Sequence, residues 1–258
     1  MLNKTKIISV VNQKGGVGKT TTVINVATVF SALGNKVLVI DFDPQSNASS
    51  GLGIEIENRE KNNIYNLLLG DISIQQAILK TKINNLDIIP CTMDLVGAEL
   101  DLVNIEKREY LLKEKINSII DNYDFILIDC PPSLNLLTIN ALVVSTSILI
   151  PLQCEFFALE GLTYLLDTAE RIRENFNSNL SINGIVLTMY DKRNKLTEQV
   201  EKDVRNCLGD IVYKTVIPRN VKLSESSSHG KPAILYDSNC SGSISYMNLV
   251  NEIIKRLK

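Results

Sequence analysis

Histidine is almost absent from this chain. His229 is the only one in 258 residues, and it stands near no acid or cysteine pair, so it reads as a loop residue rather than a ligand. The five cysteines, Cys91, Cys130, Cys154, Cys207 and Cys240, form an odd set without CxxC spacing. That pattern argues against a disulfide framework or a metal cluster and for a reducing cytoplasm, with buried small hydrophobes the expected role. Neither sign of charge prevails, 27 basic residues facing 29 acidic ones, so any surface for nucleic acid or anionic membrane has to be a local patch. No apolar run reaches the ~20 residues of a membrane span, and Met1-Leu2-Asn3-Lys4-Thr5-Lys6 holds no apolar signal region. A soluble protein that is not exported is expected. Internal repeats, low-complexity tracts and linkers are missing as well.

What is present suits one large core. With 45% hydrophobic residues, the chain is expected to form a single domain over 1–258. The β-branched run Ile7-Ile8-Ser9-Val10-Val11 leads into Asn12-Gln13-Lys14-Gly15-Gly16-Val17-Gly18-Lys19-Thr20-Thr21-Thr22, and a helical pattern follows from Val23 to Leu33. Strand, glycine-rich turn and helix start, in that order, form a phosphate cradle. Glycines at 15, 16 and 18 remove the Cβ atoms that would obstruct an anion and permit positive φ angles, while the helix N-terminus adds partial positive charge. Lys19 would reach β/γ-phosphates, and the Thr20 hydroxyl would ligate Mg²⁺. The general pattern G-x-x-x-x-G-K-[ST] asks for glycine at position 13, where this chain has Gln13 followed by Lys14.

Further strands are expected at Lys36–Asp41, Leu86–Pro90, Phe125–Asp129, Ser147–Leu152 with its exit at Pro151, Ile182–Thr188 and Val212–Ile217. Helical spacing covers Ile64–Leu69, Ser73–Leu79, Leu95–Ile120 (with Ile105, Leu111, Leu112, Ile116, Ile119 and Ile120 as core), Leu159–Arg173, Thr197–Leu208 and about Ser243 to Leu257. Ser49–Gly53 and the serine-rich Ser226–Pro232 read as loops. The alternation implies right-handed βαβ crossovers, hence an α/β fold with a doubly wound, mostly parallel sheet and helices on both faces. Asp41-Phe42-Asp43-Pro44-Gln45 and Asp129-Cys130-Pro131-Pro132 leave their strands at the carboxyl edge, where ligands of such sheets bind.

Transfer of a phosphoryl group to water needs positioning and charge neutralisation more than covalent chemistry. The amides of residues 15 to 20, Lys19 and a Mg²⁺ ion on Thr20 would hold a triphosphate, with Asp129 supporting the metal through a water. Asp43 would orient or deprotonate the attacking water. Asp41 is its rival, and could instead support the Mg²⁺ ion from outside its ligands or be a structural carboxylate.

The glycine turn with its extra lysine resembles the deviant Walker A motif of the family that holds the ParA/Soj, MinD and nitrogenase iron-protein ATPases. Resemblance to the ParA/Soj partitioning ATPases extends along almost the whole chain, through Asn12–Thr21, Asp41–Gln45, Leu127–Leu134, Gln153–Gly161 and Val216–Val221. Two positions depart from it, Ser46 where glycine is usual and Ser226-Ser227 where Ala-Pro is common. The first could stiffen the loop after Asp43; the second leaves the conformation of 224 to 232 open.

The resemblance implies a P-loop ATPase that turns ATP and water into ADP and phosphate, and it favours Asp43 over Asp41. It implies an ATP-dependent homodimer in which Lys14 reaches the partner's phosphates, although a solvated loop lysine is the alternative. Nucleotide contacts would come from Lys14, Gly15, Gly16, Val17, Gly18, Lys19, Thr20 and Thr21, with Met189, Pro218 and Asn220 bordering the adenine. Non-specific DNA binding is implied for Arg193 and Arg219 with Lys192, Lys195 and Lys222 beside them, which could equally be ordinary surface charges. A ParB-type centromere-binding partner and a cytoplasmic protein held on the nucleoid in its ATP state complete the implied picture.

Rival readings share the scaffold. A MinD-like membrane-positioning ATPase would need an amphipathic anchor, whereas Tyr246–Lys258 reads as the last core-packing helix, so no stable membrane anchor is expected. An iron-sulfur reductase would need two suitable cysteines per chain, of which Cys130 is the nearest candidate. A small-molecule ligase would need a substrate motif that is not evident. With the glycine turn so early, no preceding helix-turn-helix for operator binding is expected.

Overall fold

The computed structural model describes residues 5–155 and 157–257. Met1–Lys4, Phe156 of the Gln153–Gly161 block and the terminal Lys258 lie outside the described residues. The strands are β1 (Lys6–Val10), β2 (Val37–Asp41), β3 (Leu79–Lys80), β4 (Leu86–Ile89), β5 (Phe125–Asp129), β6 (Ser147–Gln153), β7 (Ser181–Tyr190) and β8 (Val212–Pro218). They form a single eight-stranded sheet in the order β3-β4-β2-β5-β1-β6-β7-β8. All neighbours are parallel except β3 and β4, as the sequence reading expected of a mostly parallel sheet.

The central strands are buried on both faces, which is why their apolar runs are continuous. One face packs on the helices Leu111–Ile116, Leu136–Val144 and Ala158–Asn175 through Leu112, Leu137, Ala141 and Leu165. The other packs on α1 (Lys19–Ala32) and the helix Ser241–Arg256 through Val23, Phe30, Tyr246, Leu249 and Ile253. Phe30 stacks on Phe125 with ring centroids 3.8 Å apart, fixing α1 across the sheet beneath the glycine turn. Register then aligns the functional edge, since Asp129 pairs with Val10 on one side and with Asp41 on the other.

Several expectations need correction. The span Leu95–Ile120 is broken into 3₁₀ turns (Met93–Gly97, Arg108–Tyr110 and, at its end, Ile120–Asn122), one helical turn (Ala98–Asp101) and the helix Leu111–Ile116. Lys107 sits between them at φ 55°, a left-handed conformation that interrupts helical bonding, and Ile105 is 36% exposed rather than core. Residues Asn47–Gly51 form a helical turn, α2, instead of a loop, because the Asp41 carboxylate binds the Ser49 backbone and side chain. Ser226–Ser228 close the helix Val221–Ser228, and the turn comes only at His229 and Gly230. β6 continues two residues past Pro151 to Gln153, since pairing with β1 ends at Leu149 and no neighbour on that side needs the missing N–H. Of the cysteines, Cys91, Cys130 and Cys154 are buried, but Cys207 is exposed on the outer face of its helix. Cys240 is half-buried, its Sγ accepting from the Ser243 N–H at 3.4 Å as a helix cap. The helix Leu136–Val144 was not anticipated; Asn135 caps it by accepting from the Thr138 N–H.

Candidate functional site

The turn after β1 holds Gly16 at φ 76° and Gly18 at φ 88°, where side chains are disfavoured. A Cβ built on Gly15, Gly16 or Gly18 would meet nothing within 4 Å, so the backbone of the turn faces open space. The turn is held from outside. Thr188 donates through its hydroxyl to the Val17 carbonyl at 2.8 Å, and Asn12 donates through its side-chain amide to the Pro151 carbonyl at 2.7 Å. Neither anchor was read from the sequence as part of the site.

Lys19, first residue of α1, is only 6% exposed and donates to the Lys14 carbonyl at 3.0 Å, curling beneath the turn. Burial lowers its pKa, opposed by the Asp129 and Asp43 carboxylates. Lys14 points outward and is ion-paired with Glu155. Glu155 lies inside the Gln153–Gly161 block, but nothing in its spacing singled it out.

Three carboxylates converge on this edge with different partners. Asp41 is fully buried; its Oδ2 accepts from the Ser49 hydroxyl at 2.6 Å and the Ser49 N–H at 2.7 Å. Asp43, 7% exposed, accepts from the Gln45 N–H at 3.0 Å. Asp129 is fully buried and neither oxygen has a hydrogen-bond partner; the Thr20 hydroxyl faces it and eases its ionisation without meeting hydrogen-bond geometry. Burial first, then the Asp41 charge, lift the Asp129 pKa well above the ordinary value. An orphaned buried carboxylate beside a threonine hydroxyl and a lysine has the donor chemistry of a hydrated Mg²⁺ site.

Alongside the turn opens a cavity of about 350 Å³ whose walls include Gly18, Thr21, Met189, Pro218, Asn220 and Tyr246. The residues expected at the adenine are thereby brought together. Met189 adopts φ 49°, a left-handed conformation that is strained for a side chain of this size. The Asn220 side chain accepts from the Lys222 N–H at 2.7 Å and donates to Ser241 Oγ at 2.8 Å. Those two bonds fix the side chain in the wall of the cavity.

A family model described as an AAA domain matches residues 5–182. The chromosome partitioning protein ParA of Caulobacter vibrioides is 51% identical over 256 residues, covering 98% of this chain and 96% of its own. The chromosome-partitioning ATPase Soj of Treponema pallidum is 50% identical over 251 residues, covering 97% and 98%. The chain belongs to the ParA/Soj family. Among solved structures, cobyrinic acid a,c-diamide synthase of Mycobacterium smegmatis with a bound ATP analogue and magnesium superposes with a TM-score of 0.87 at 31% identity, covering 98% of this chain and 96% of its own. A putative plasmid partition protein of Borrelia burgdorferi bound to AMPPNP gives 0.83 at 30% identity, covering 98% of both chains.

Arg193 and Lys192 are exposed in the loop after β7, Lys195 begins the helix Lys195–Leu208, and Arg219 is exposed after β8. The Arg219 N–H donates to the Tyr190 carbonyl at 3.1 Å, which joins the two loops. Arg193 forms a two-pronged pair with Asp191, at 2.9 Å through Nε and 2.8 Å through Nη2. Lys222, in the helix Val221–Ser228, is half-buried and paired with Glu225 at 2.8 Å. Cys130 is buried and its thiol is pushed up by burial, the opposite of an exposed cluster ligand. No helix among the described residues is long and apolar enough to cross a membrane, and the helix Ser241–Arg256 buries Tyr246, Leu249, Val250 and Ile253.

Proposed function

We propose that this chain is a Mg²⁺-dependent ATP hydrolase that dimerises around ATP, binds DNA non-specifically in that state and partitions a chromosome or plasmid with a ParB-type partner. One observation carries the reading. A glycine turn, the buried Lys19 and the unpartnered Asp129 carboxylate share a sheet edge that opens onto the cavity of Met189, Pro218 and Asn220. The partitioning relatives in Caulobacter and Treponema and the AMPPNP complex in Borrelia support it.

The amides of the turn and Lys19 would hold the phosphates, and Thr20 with Asp129, through a water, would hold the metal. When bound, the cation neutralises charge on the phosphates. Asp43 accepts the hydrogen bond of the attacking water and orients it. Lys14 exchanges Glu155 for the phosphates bound by the partner subunit, so that hydrolysis, by removing negative charge, releases the pair. Dimerisation doubles the patch of Arg193, Arg219, Lys192, Lys195 and Lys222, which makes DNA retention depend on ATP and on salt.

Sedimentation of the wild type and of Asp43→Ala with ATP or ADP, each with and without duplex DNA, tests the reading. The expected result is a dimer with ATP that persists in Asp43→Ala, with DNA co-sedimenting in ATP and not in ADP. A chain that stays monomeric at saturating ATP would overturn it.

A further inference from the structure

A second cavity, of about 510 Å³, lies on the other side of α2 from the nucleotide edge. Its walls carry Arg59, Lys82, His229 and Lys231, with Glu55 as the acid and Ile56 and Leu235 among the apolar residues. Arg59 is 6% exposed, and its guanidinium donates only to neutral acceptors, the Ser46 carbonyl at 3.3 Å and the Ser50 hydroxyl at 3.1 Å. Among the described residues no carboxylate forms an ion pair with Arg59, Lys82 or Lys231. Buried charges are ordinarily paired, because desolvating a lone guanidinium is unfavourable. The backbone beside it is tightly built. A Cβ on Gly53 would lie 2.9 Å from the Gly230 carbonyl oxygen, and both glycines have positive φ, 72° and 60°.

We propose that this cavity is a second anion site that takes a small phosphorylated ligand, its phosphate on Arg59 and flanked by Lys82 and Lys231. A guanidinium matches two phosphate oxygens at once, and the two lysines add charge without competing for that geometry. A recess with apolar as well as cationic residues in its wall suits a small molecule better than the ridge of a DNA backbone does. The site is coupled to the catalytic edge through one residue. Arg59 holds the Ser46 carbonyl, three residues beyond Asp43, so a ligand that draws on the guanidinium changes the support of the Asp43 loop.

Titration calorimetry with pyrophosphate on the full chain, its glycine turn saturated with ADP and Mg²⁺, tests the proposal. The wild type is expected to bind one further equivalent, and Lys82→Glu/Lys231→Glu to bind it about tenfold more weakly or worse. Both lysines are exposed, so the variant keeps its fold. No saturable binding beyond ADP, or equal affinity in the double variant, overturns the site. If duplex DNA displaces pyrophosphate and its own binding falls in the same variant, the phosphate belongs to DNA and the small-ligand proposal fails. Amide exchange over residues 45 to 51 is expected to change with pyrophosphate in the wild type alone; exchange that ignores bound pyrophosphate overturns the coupling.

Discussion

The Asp41 carboxylate grips Ser49 twice, taking the hydroxyl at 2.6 Å and the backbone N–H at 2.7 Å on the same oxygen. Ser49 Oγ in turn accepts from the Cys91 N–H at 3.0 Å, so one hydroxyl ties the end of β2, the turn α2 and the segment after β4. Asp43 lies on the chain between the two clamped residues. Removing the hydroxyl in Ser49→Ala strands the buried Cys91 N–H and leaves the Asp41 oxygen with the Ser49 N–H alone, which lowers stability by about 1–3 kcal/mol. Denaturant unfolding measures that loss. Because the Asp43 loop slackens, kcat of ATP hydrolysis is expected to fall further than KM rises. A variant with reduced stability and unaltered kcat would separate the clamp from catalysis.

Burial pushes the Asp41 carboxyl from 3.8 up to about 6 and lifts Asp129 well above 3.8. A raised carboxyl pKa means that the folded chain keeps protons the unfolded chain has released, so stability falls as the pH climbs between those values and stays reduced above them. The nucleotide-free protein is therefore expected to melt higher at about pH 5 than at about pH 8. Asp129→Asn, which removes the orphaned charge, is expected to stabilise the nucleotide-free chain at the higher pH by about 1–3 kcal/mol. Addition of ADP with Mg²⁺ should raise the wild-type melting temperature and raise that of the variant much less. A destabilised Asn variant would show that the carboxylate has a partner.

The parts that were legible in the sequence are those fixed by short-range chemistry. Buried parallel strands cannot hide their apolar runs, and the glycine turn with Lys14 and Lys19 advertises its backbone geometry directly. The helix Leu136–Val144 escaped because Leu136–Ile150 reads as one apolar stretch in which helical and strand periods cannot be told apart. Leu95–Ile120 failed for the opposite reason. Its apolar spacing fits a helix, but Lys107 turns left-handed and the chain breaks there. Contacts between residues distant in sequence, such as Thr188 to Val17 and Glu155 to Lys14, leave no local mark.

Ser46 occupies φ 51° and ψ 32°, which explains why glycine is expected at that point after Asp-Pro-Gln. A side chain in that region is strained by about 1–2 kcal/mol, and glycine returns about half of the gain through the entropy of the unfolded chain. Ser46→Gly is thus expected to stabilise the protein by about 0.5–1 kcal/mol. The β-branched Ser46→Val is expected to destabilise it by about 1–2 kcal/mol. Melting curves of the two variants moving in the same direction would refute the account.

Arg193 is held by Asp191 through both carboxylate oxygens, and that guanidinium keeps the Asp191 carboxyl at about 2. A lowered carboxyl pKa favours the charged native form, and its contribution disappears only as the pH falls from 3.8 through about 2, so the pair is intact at every pH where DNA binding is measured. Part of the positive charge proposed to meet DNA is therefore cancelled within the loop. Asp191→Asn releases it. With ATP bound, the variant is expected to hold duplex DNA more tightly than wild type, with the logarithmic salt dependence steeper by about one phosphate contact per subunit. Arg193→Glu and Arg219→Glu are expected to lose DNA while ATP hydrolysis persists. If Asp191→Asn leaves both affinity and salt slope unchanged, the phosphates do not meet this loop, and the DNA surface must be sought on another face.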